Sequence, residues 1–438
     1  VVSQQPARVR AGEGSGADAV RVLLLNQCFY PDVVATAQHG WDLARHLRRE
    51  GHEVTAIASR SIYGSRGATL PASETIEGIR IVRVGASVFG KASILARTFD
   101  FALFYLLALW KAVTLPKHDV CVCFTTPPFI PLVGWMLRLI RGTKCVYWVM
   151  DLYPDLPVAC GVMKERSLIT RFFESVNRFC LRKADRNVVL GRCMQQHVLA
   201  KGIDPSRVST INVWSDHTEI RPVPRERNRF RRDWGVGDRF LVMYSGNFGL
   251  GHDIETIAEG VRRLASDPSI FFAFTGGGER KAELIDILRR HGITNFVEGP
   301  YQPRERLDEL LSAADLHLAS LRDGCEGLMV PSKLYGVLAA QRPIVFVGSH
   351  LGEGARVIDE ERCGIVVPCG DAEAFASAIR TYATDAREAA AAGERGRNAL
   401  AEKWCAAHAL AKWSALLASL VGEQDAASQT REGAGKER

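Results

Sequence analysis

This chain of 438 residues contains no Cys-x-x-Cys pair, no apolar run of bilayer length and no G-x-G-x-x-G turn after its first apolar strand. Each absence removes a class of protein. The eleven cysteines are odd in number and scattered from Cys28 to Cys405. They read as reduced core thiols in a reducing compartment, not as a disulfide framework or a zinc site. The longest apolar stretch, Phe101–Trp110, is too short to span a bilayer as a helix. The missing glycine fingerprint argues against a hydride-transferring dehydrogenase. No Ser-His-Asp or Cys-His spacing singles out a covalent nucleophile, and no aromatic-interleaved basic ribbon suggests nucleic acid. A basic-then-apolar leader is also missing, so the expected location is cytoplasmic.

What is present describes a globular α/β protein. Hydrophobic residues make up 47% and charged residues 24%, enough for sizeable cores. Charge is uneven: residues 1–210 carry 27 Lys+Arg against 16 Asp+Glu, whereas the remainder is mildly acidic. A basic half suits an anionic membrane or a diphosphate. Apolar runs of strand length at Val20–Leu25, Glu53–Ala58, Ile79–Val84, Val120–Phe124, Lys144–Val149 and Arg186–Leu190 alternate with helical stretches. A second series follows at Arg239–Tyr244, Ile270–Thr275, Asn295–Glu298, Leu316–Ser320, Pro343–Val347 and Gly364–Pro368. This alternation predicts two doubly wound parallel sheets facing a cleft. The expected organisation is a disordered start (1–19), a first Rossmann-like domain (20–212) and a Pro-rich charged linker (213–227). A second Rossmann-like domain (228–400), a closing helix (401–421) that is long enough to reach the first domain, and a disordered tail (422–438) complete it.

Two apolar stretches in the basic half stand out. Phe101–Trp110 is followed by Lys111, and Phe129–Ile140 carries Trp135 inside and is flanked by Arg138, Arg141 and Lys144. Apolar bodies with aromatic residues and basic flanks predict helices lying in a membrane interface, over 99–115 and 129–141. Helices that simply cover the first sheet would look similar.

Three segments of the second half offer groups for an anionic ligand. Tyr244–His252 contains Gly246, Asn247, Phe248, Gly249 and His252 between a strand and a helix, and glycine lets backbone N–H groups approach a phosphate. Thr275–Glu279 holds three glycines at a strand end and reads chiefly as close packing. The most specific is Asp323–Pro343. There Pro331 and Ser332 open a helix, Lys333 stands ready for a phosphate, and Glu326 can accept from sugar hydroxyls. In the first half Asp151 and Asp155 follow a strand and suit an acceptor hydroxyl, or merely a turn around Pro154. His39, in Gln38-His39-Gly40 at the loop after the first strand, is another cleft candidate.

The Asp323–Pro343 segment resembles the Glu-x7-Glu region of retaining glycosyltransferases of the GT-B fold, family 4. The nearest likeness is to bacterial capsule, exopolysaccharide and O-antigen enzymes carrying a Pro-Ser-Lys-Leu-Tyr helix. The resemblance extends over Val20–Val421 and includes Asp151–Asp155, Tyr244–Gly249 and Cys363–Asp371. It implies that Glu326 contacts the donor sugar, with Gly327 and Leu328 offering backbone groups, and that Lys333 holds the diphosphate. It also implies retention of configuration, no metal or other cofactor, and a leaving diphosphate that itself accepts the acceptor's proton. The family's second glutamate has no acidic counterpart here, since Leu334 or Gly336 occupies its place. Glu353 is the candidate replacement on the ribose. The expected partners are a UDP-sugar donor and a polyprenyl diphosphate-linked saccharide acceptor on the inner face of the plasma membrane, where the protein would bind peripherally. A sugar-nucleotide epimerase and a non-catalytic assembly partner of the same fold remain as alternatives.

Overall fold

The computed structural model describes residues 19–62, 69–85 and 94–436. Nearly all of the expected N-terminal segment, 1–19, lies outside them. The first sheet has eight strands: β1 (Arg21–Leu25), β2 (Glu53–Ser59), β3 (Ser73–Ile76), β4 (Ile79–Val84), β5 (Val120–Cys123), β6 (Lys144–Val149), β7 (Arg186–Val189) and β8 (Val208–Thr210). Their spatial order is β3-β4-β2-β1-β5-β6-β7-β8, parallel except for the β3–β4 pair. The second sheet is parallel and runs β11-β10-β9-β12-β13-β14. It consists of β9 (Phe240–Asn247), β10 (Ile270–Gly277), β11 (Phe296–Gly299), β12 (Leu316–Ser320), β13 (Ile344–Val347) and β14 (Gly364–Val367).

Central strands such as Val120–Cys123 and Ile344–Val347 are buried at every residue because helices cover both faces. Strand β3 differs. Ser-Glu-Thr-Ile alternates exposed and half-buried positions, as befits an antiparallel edge, and it carries no long apolar run to advertise it.

The segment 213–227 is packed more closely than a Pro-rich charged linker suggests: Val213 and Trp214 are buried, and Trp214 stacks near Trp148 with ring centroids 5.8 Å apart. After the second sheet the chain passes through a π-helical turn at Leu400–Trp404 into a long helix, Ala406–Lys436. That helix starts later than Ala401 and runs past Val421, so most of the polar tail expected to lack structure continues it. The helix returns to the first sheet. Trp413 is fully buried 4.6 Å from the ring of Trp148, and Ser414 Oγ donates to Glu50 at 2.6 Å.

Candidate active site

In each sheet the order reverses once, between β1 and β5 and between β9 and β12. Ligands of open α/β sheets bind at these reversals, beyond the strand C-termini. The two reversals face one another across a cleft of about 970 Å³. Gln27, Thr125 and Asp151 lie on its first wall, and Ser245–Asn247, Thr275 and Pro331–Lys333 on its second.

Lys333 begins the helix Lys333–Ala339 and lines that second wall. Its Nζ donates to Asn247 O at 3.0 Å and to the Tyr244 hydroxyl, and lies 3.7 Å above the Tyr244 ring. Burial holds its ammonium well below the usual lysine range. An anion arriving beside it would restore the charged form. The helix starts two residues later than Pro331, with Ser332 at its cap, although both residues line the cleft.

Backbone shape makes the space beneath Lys333. Gly246 has φ +131° and Gly276 φ +112°, and a Cβ at Gly276 would collide with Gly246 O. The glycines of 275–279 thus serve chiefly to let two loops touch, while Thr275 and Gly276 also reach the cleft. Phe248 and Gly249 do not line it. Phe248 is fully buried and stacks on Tyr244 at 4.1 Å, supporting the tyrosine from behind.

His252 lines the cleft as a neutral ring. Its Nδ1 donates to Ser320 O at 2.6 Å, which leaves Nε2 as an acceptor. Burial, with Lys333 and Arg280 nearby, lowers its pKa to about 3. A positive charge on His252 is therefore not available to a diphosphate at neutral pH. His39 is similar: it is buried, packed 4.7 Å from the Trp214 ring, and lowered to about 3 by burial and Arg304. Among the described residues its Nδ1 finds no hydrogen-bond partner. Asp151 stands on the same side, its carboxyl pushed up to about 6 by burial.

Five expected site residues face elsewhere. Asp155 is engaged by Lys201 at 2.9 Å and is a structural ion pair off the cleft wall. Glu353 is buried, its carboxylate accepting from Arg192 Nε at 3.2 Å and from the Cys193 N–H at 3.3 Å. It caps the helix Arg192–Ala200 across the interface between the two halves and does not line the cleft, which corrects its assignment to the ribose. Glu326, Gly327 and Leu328 are drawn into the same interface. Glu326 O accepts from His197 Nε2 at 2.9 Å, Gly327 is pressed against Cys193, and Leu328 O accepts from Leu152 N–H at 2.8 Å.

Sequence reasoning missed Arg304. It reaches from the second half to Asp42 Oδ1 at 2.8 Å and to Glu219 Oε2 at 2.9 Å, and it lines the cleft together with Tyr301 and Trp214. The available signal was its place in the loop after β11.

Two parallel sheets facing one another across such a cleft are the GT-B architecture. The family models agree: residues 35–214 match the Glycosyl transferase 4-like domain and 226–399 match Glycosyl transferases group 1. A probable glycosyltransferase, WbjE, of Pseudomonas aeruginosa is 33% identical over 291 residues, covering 65% of this chain and 70% of the relative. The putative colanic acid biosynthesis glycosyl transferase WcaI of Escherichia coli is 23% identical, covering 73% of this chain and 81% of the relative. Among solved structures, sucrose-phosphate synthase of Thermosynechococcus elongatus superposes with a TM-score of 0.74 at 15% identity, covering 92% of this chain and 100% of that one. HepE of Anabaena, solved with UDP-glucose, gives 0.69 at 14% identity, covering 91% and 99%. The chain belongs to the GT-B glycosyltransferases of family 4, and it is a glycosyltransferase.

Proposed function

We propose that this enzyme transfers a sugar, with retention of configuration, from a UDP-sugar to a polyprenyl diphosphate-linked saccharide during surface-polysaccharide assembly. The observation that carries the reading is Lys333, held by Tyr244 and Asn247 over the glycine-shaped turn at Gly246 and facing Asp151 across the cleft. A lysine at that place neutralises the charge that grows on a departing diphosphate. The leaving diphosphate takes the acceptor's proton on the face from which it departs, so no separate carboxylate base is needed. Asp151 orients the acceptor hydroxyl, and His252 Nε2 accepts from a donor hydroxyl. Glu326 reaches the donor sugar once its loop swings from the interface that now holds it. The colanic acid title of WcaI and the UDP-glucose bound to HepE support the choice of pathway and donor.

The membrane acceptor is supported by the first half. Helices Ile94–Thr114, Pro131–Arg141 and Leu168–Lys183 pack side by side, with Trp135 4.9 Å from Phe179 and Arg138 Nη1 donating to Lys183 O at 3.1 Å. Among the described residues no helix is long and apolar enough to cross a membrane. These three helices instead expose Leu106, Trp110, Leu139, Ile140, Leu168, Ile169 and Phe172 beside Arg138 and Arg171. This is the composition of a face that rests on anionic lipid.

Calorimetric titration with UDP, GDP and ADP tests the donor site. UDP is expected to bind selectively, Lys333→Ala to weaken it at least about tenfold, and Glu353→Gln to change it less than about twofold. Failure of every nucleotide to bind would overturn the reading in favour of a non-catalytic partner.

A further inference from the structure

Cys160 and Cys325 belong to opposite halves of the molecule, 165 residues apart in sequence, yet their Sγ atoms stand 4.0 Å from one another. Cys160 ends the short helix Asp155–Ala159 and is followed by Gly161 in a left-handed turn. Cys325 directly precedes Glu326 in the loop that carries the sugar-contacting segment. The two loops already meet: Leu152 N–H donates to Leu328 O at 2.8 Å, and Asp151 bridges Met329.

We propose that Cys160 and Cys325 form a redox-active pair that closes into a disulfide across the interface between the two halves and holds the donor loop against the Asp151 loop. A disulfide needs its sulfurs about 2.05 Å apart, so about 2 Å of approach is required. Both cysteines lie in loops flanked by glycine, where side-chain and backbone rotation can supply it. Cys160 is half-exposed, which gives a small oxidant access. The hydrogen bond from Cys325 draws its thiol down to about 7 against the opposing effect of burial, with Arg322 adding to the lowering. The contrast with Cys121 and Cys123 is informative. Those sulfurs are 3.6 Å apart but fully buried on one strand, where no oxidant reaches them.

Hydrogen peroxide balances the chemistry. The Cys160 thiolate attacks one peroxide oxygen and the O–O bond breaks, giving a sulfenic acid and hydroxide, which takes a proton to become water. The Cys325 sulfur then attacks the Cys160 sulfur. The S–S bond forms as the S–O bond breaks, and the departing hydroxide leaves as water with the Cys325 proton. Two thiols lose two electrons and one peroxide becomes two waters. The disulfide would hold the Glu326 loop in the interface, so it acts as a brake on the transfer proposed above, on which this consequence rests.

The test uses the full chain, reduced or treated with stoichiometric hydrogen peroxide, and needs no donor or acceptor. Non-reducing peptide mapping is expected to show a Cys160–Cys325 linked peptide. Amide exchange of the peptide containing Leu152 should slow by about tenfold or more. Dithiothreitol should reverse both effects. Cys160→Ser should abolish both, and Cys325→Ser should leave a Cys160 sulfenic acid that dimedone traps. Absence of the linked peptide, oxidation confined to other cysteines, or a linked peptide with unchanged Leu152 exchange would each overturn the proposal.

Discussion

Burial shifts three titratable side chains of the cleft toward their neutral forms, each for a different use. Lys333 is desolvated but has Tyr244 and Asn247 to hold its Nζ, so it is preorganised for an anion that replaces its missing counter-charge. His252 is fixed as a single tautomer by Ser320 O. Asp151 has no such support, and burial alone raises its carboxyl to about 6. Its sign follows directly. In the unfolded chain this carboxyl ionises near 3.8, whereas in the fold it keeps its proton to about 6. Stability is therefore unaffected below pH 4, falls as pH rises through that window, and stays lower above it. Urea unfolding of wild type and Asp151→Asn should show wild type losing about 2–3 kcal/mol relative to the variant between pH 4 and pH 7. Parallel stability profiles would mean that Asp151 is solvated in the fold.

At the level of elements, the three helices on the outer side of the first sheet each have two unlike apolar faces. In Ile94–Thr114, Phe104, Ala108 and Ala112 are buried against the sheet, while Leu106 is 68% and Trp110 63% exposed. Leu139 on Pro131–Arg141 and Leu168 on Leu168–Lys183 are 66% and 80% exposed. Water is a poor solvent for so many large apolar groups in one place. Replacing Trp110, Leu139 and Phe172 together by serine should leave nucleotide binding intact and release the protein from phosphatidylglycerol-containing vesicles in a sedimentation assay. The expected weakening is at least about tenfold, since burying one such side chain is worth about 1.5–3 kcal/mol. Equal sedimentation of wild type and variant would show that this face is not the lipid contact.

For the whole molecule, the two halves are joined by more than the covalent crossing near Trp214. The Ala406–Lys436 helix returns to the first sheet and inserts Trp413 beside Trp148, so the last part of the chain completes the core of the first half. Trp413→Ala should cost about 3–5 kcal/mol in chemical denaturation, the range for a large aromatic removed from a packed core. A loss under about 1 kcal/mol would show the helix to be a loosely attached appendage. Much of this architecture was legible in the sequence, because a strand covered on both faces needs an unbroken apolar run and a crossover helix needs its own period. All the parallel strands but β8, the Gly246 turn and the Lys333 segment announced themselves in this way. Strands β3 and β8 did not, being short, polar edges. Nor did the local pattern disclose which way a carboxylate points. Glu353 and Glu326 both stand beside glycines in the sequence, yet the Glu353 carboxylate is taken up by Arg192 and the Cys193 N–H, whereas at Glu326 it is the backbone carbonyl that accepts from His197. The sequence by itself determined the fold, the family and the identity of the cleft-forming segments, because these depend on periodicity and local turn chemistry. Only the tertiary structure decided which polar groups remain free for substrate and which are spent joining the halves, because that depends on contacts between residues more than a hundred positions apart.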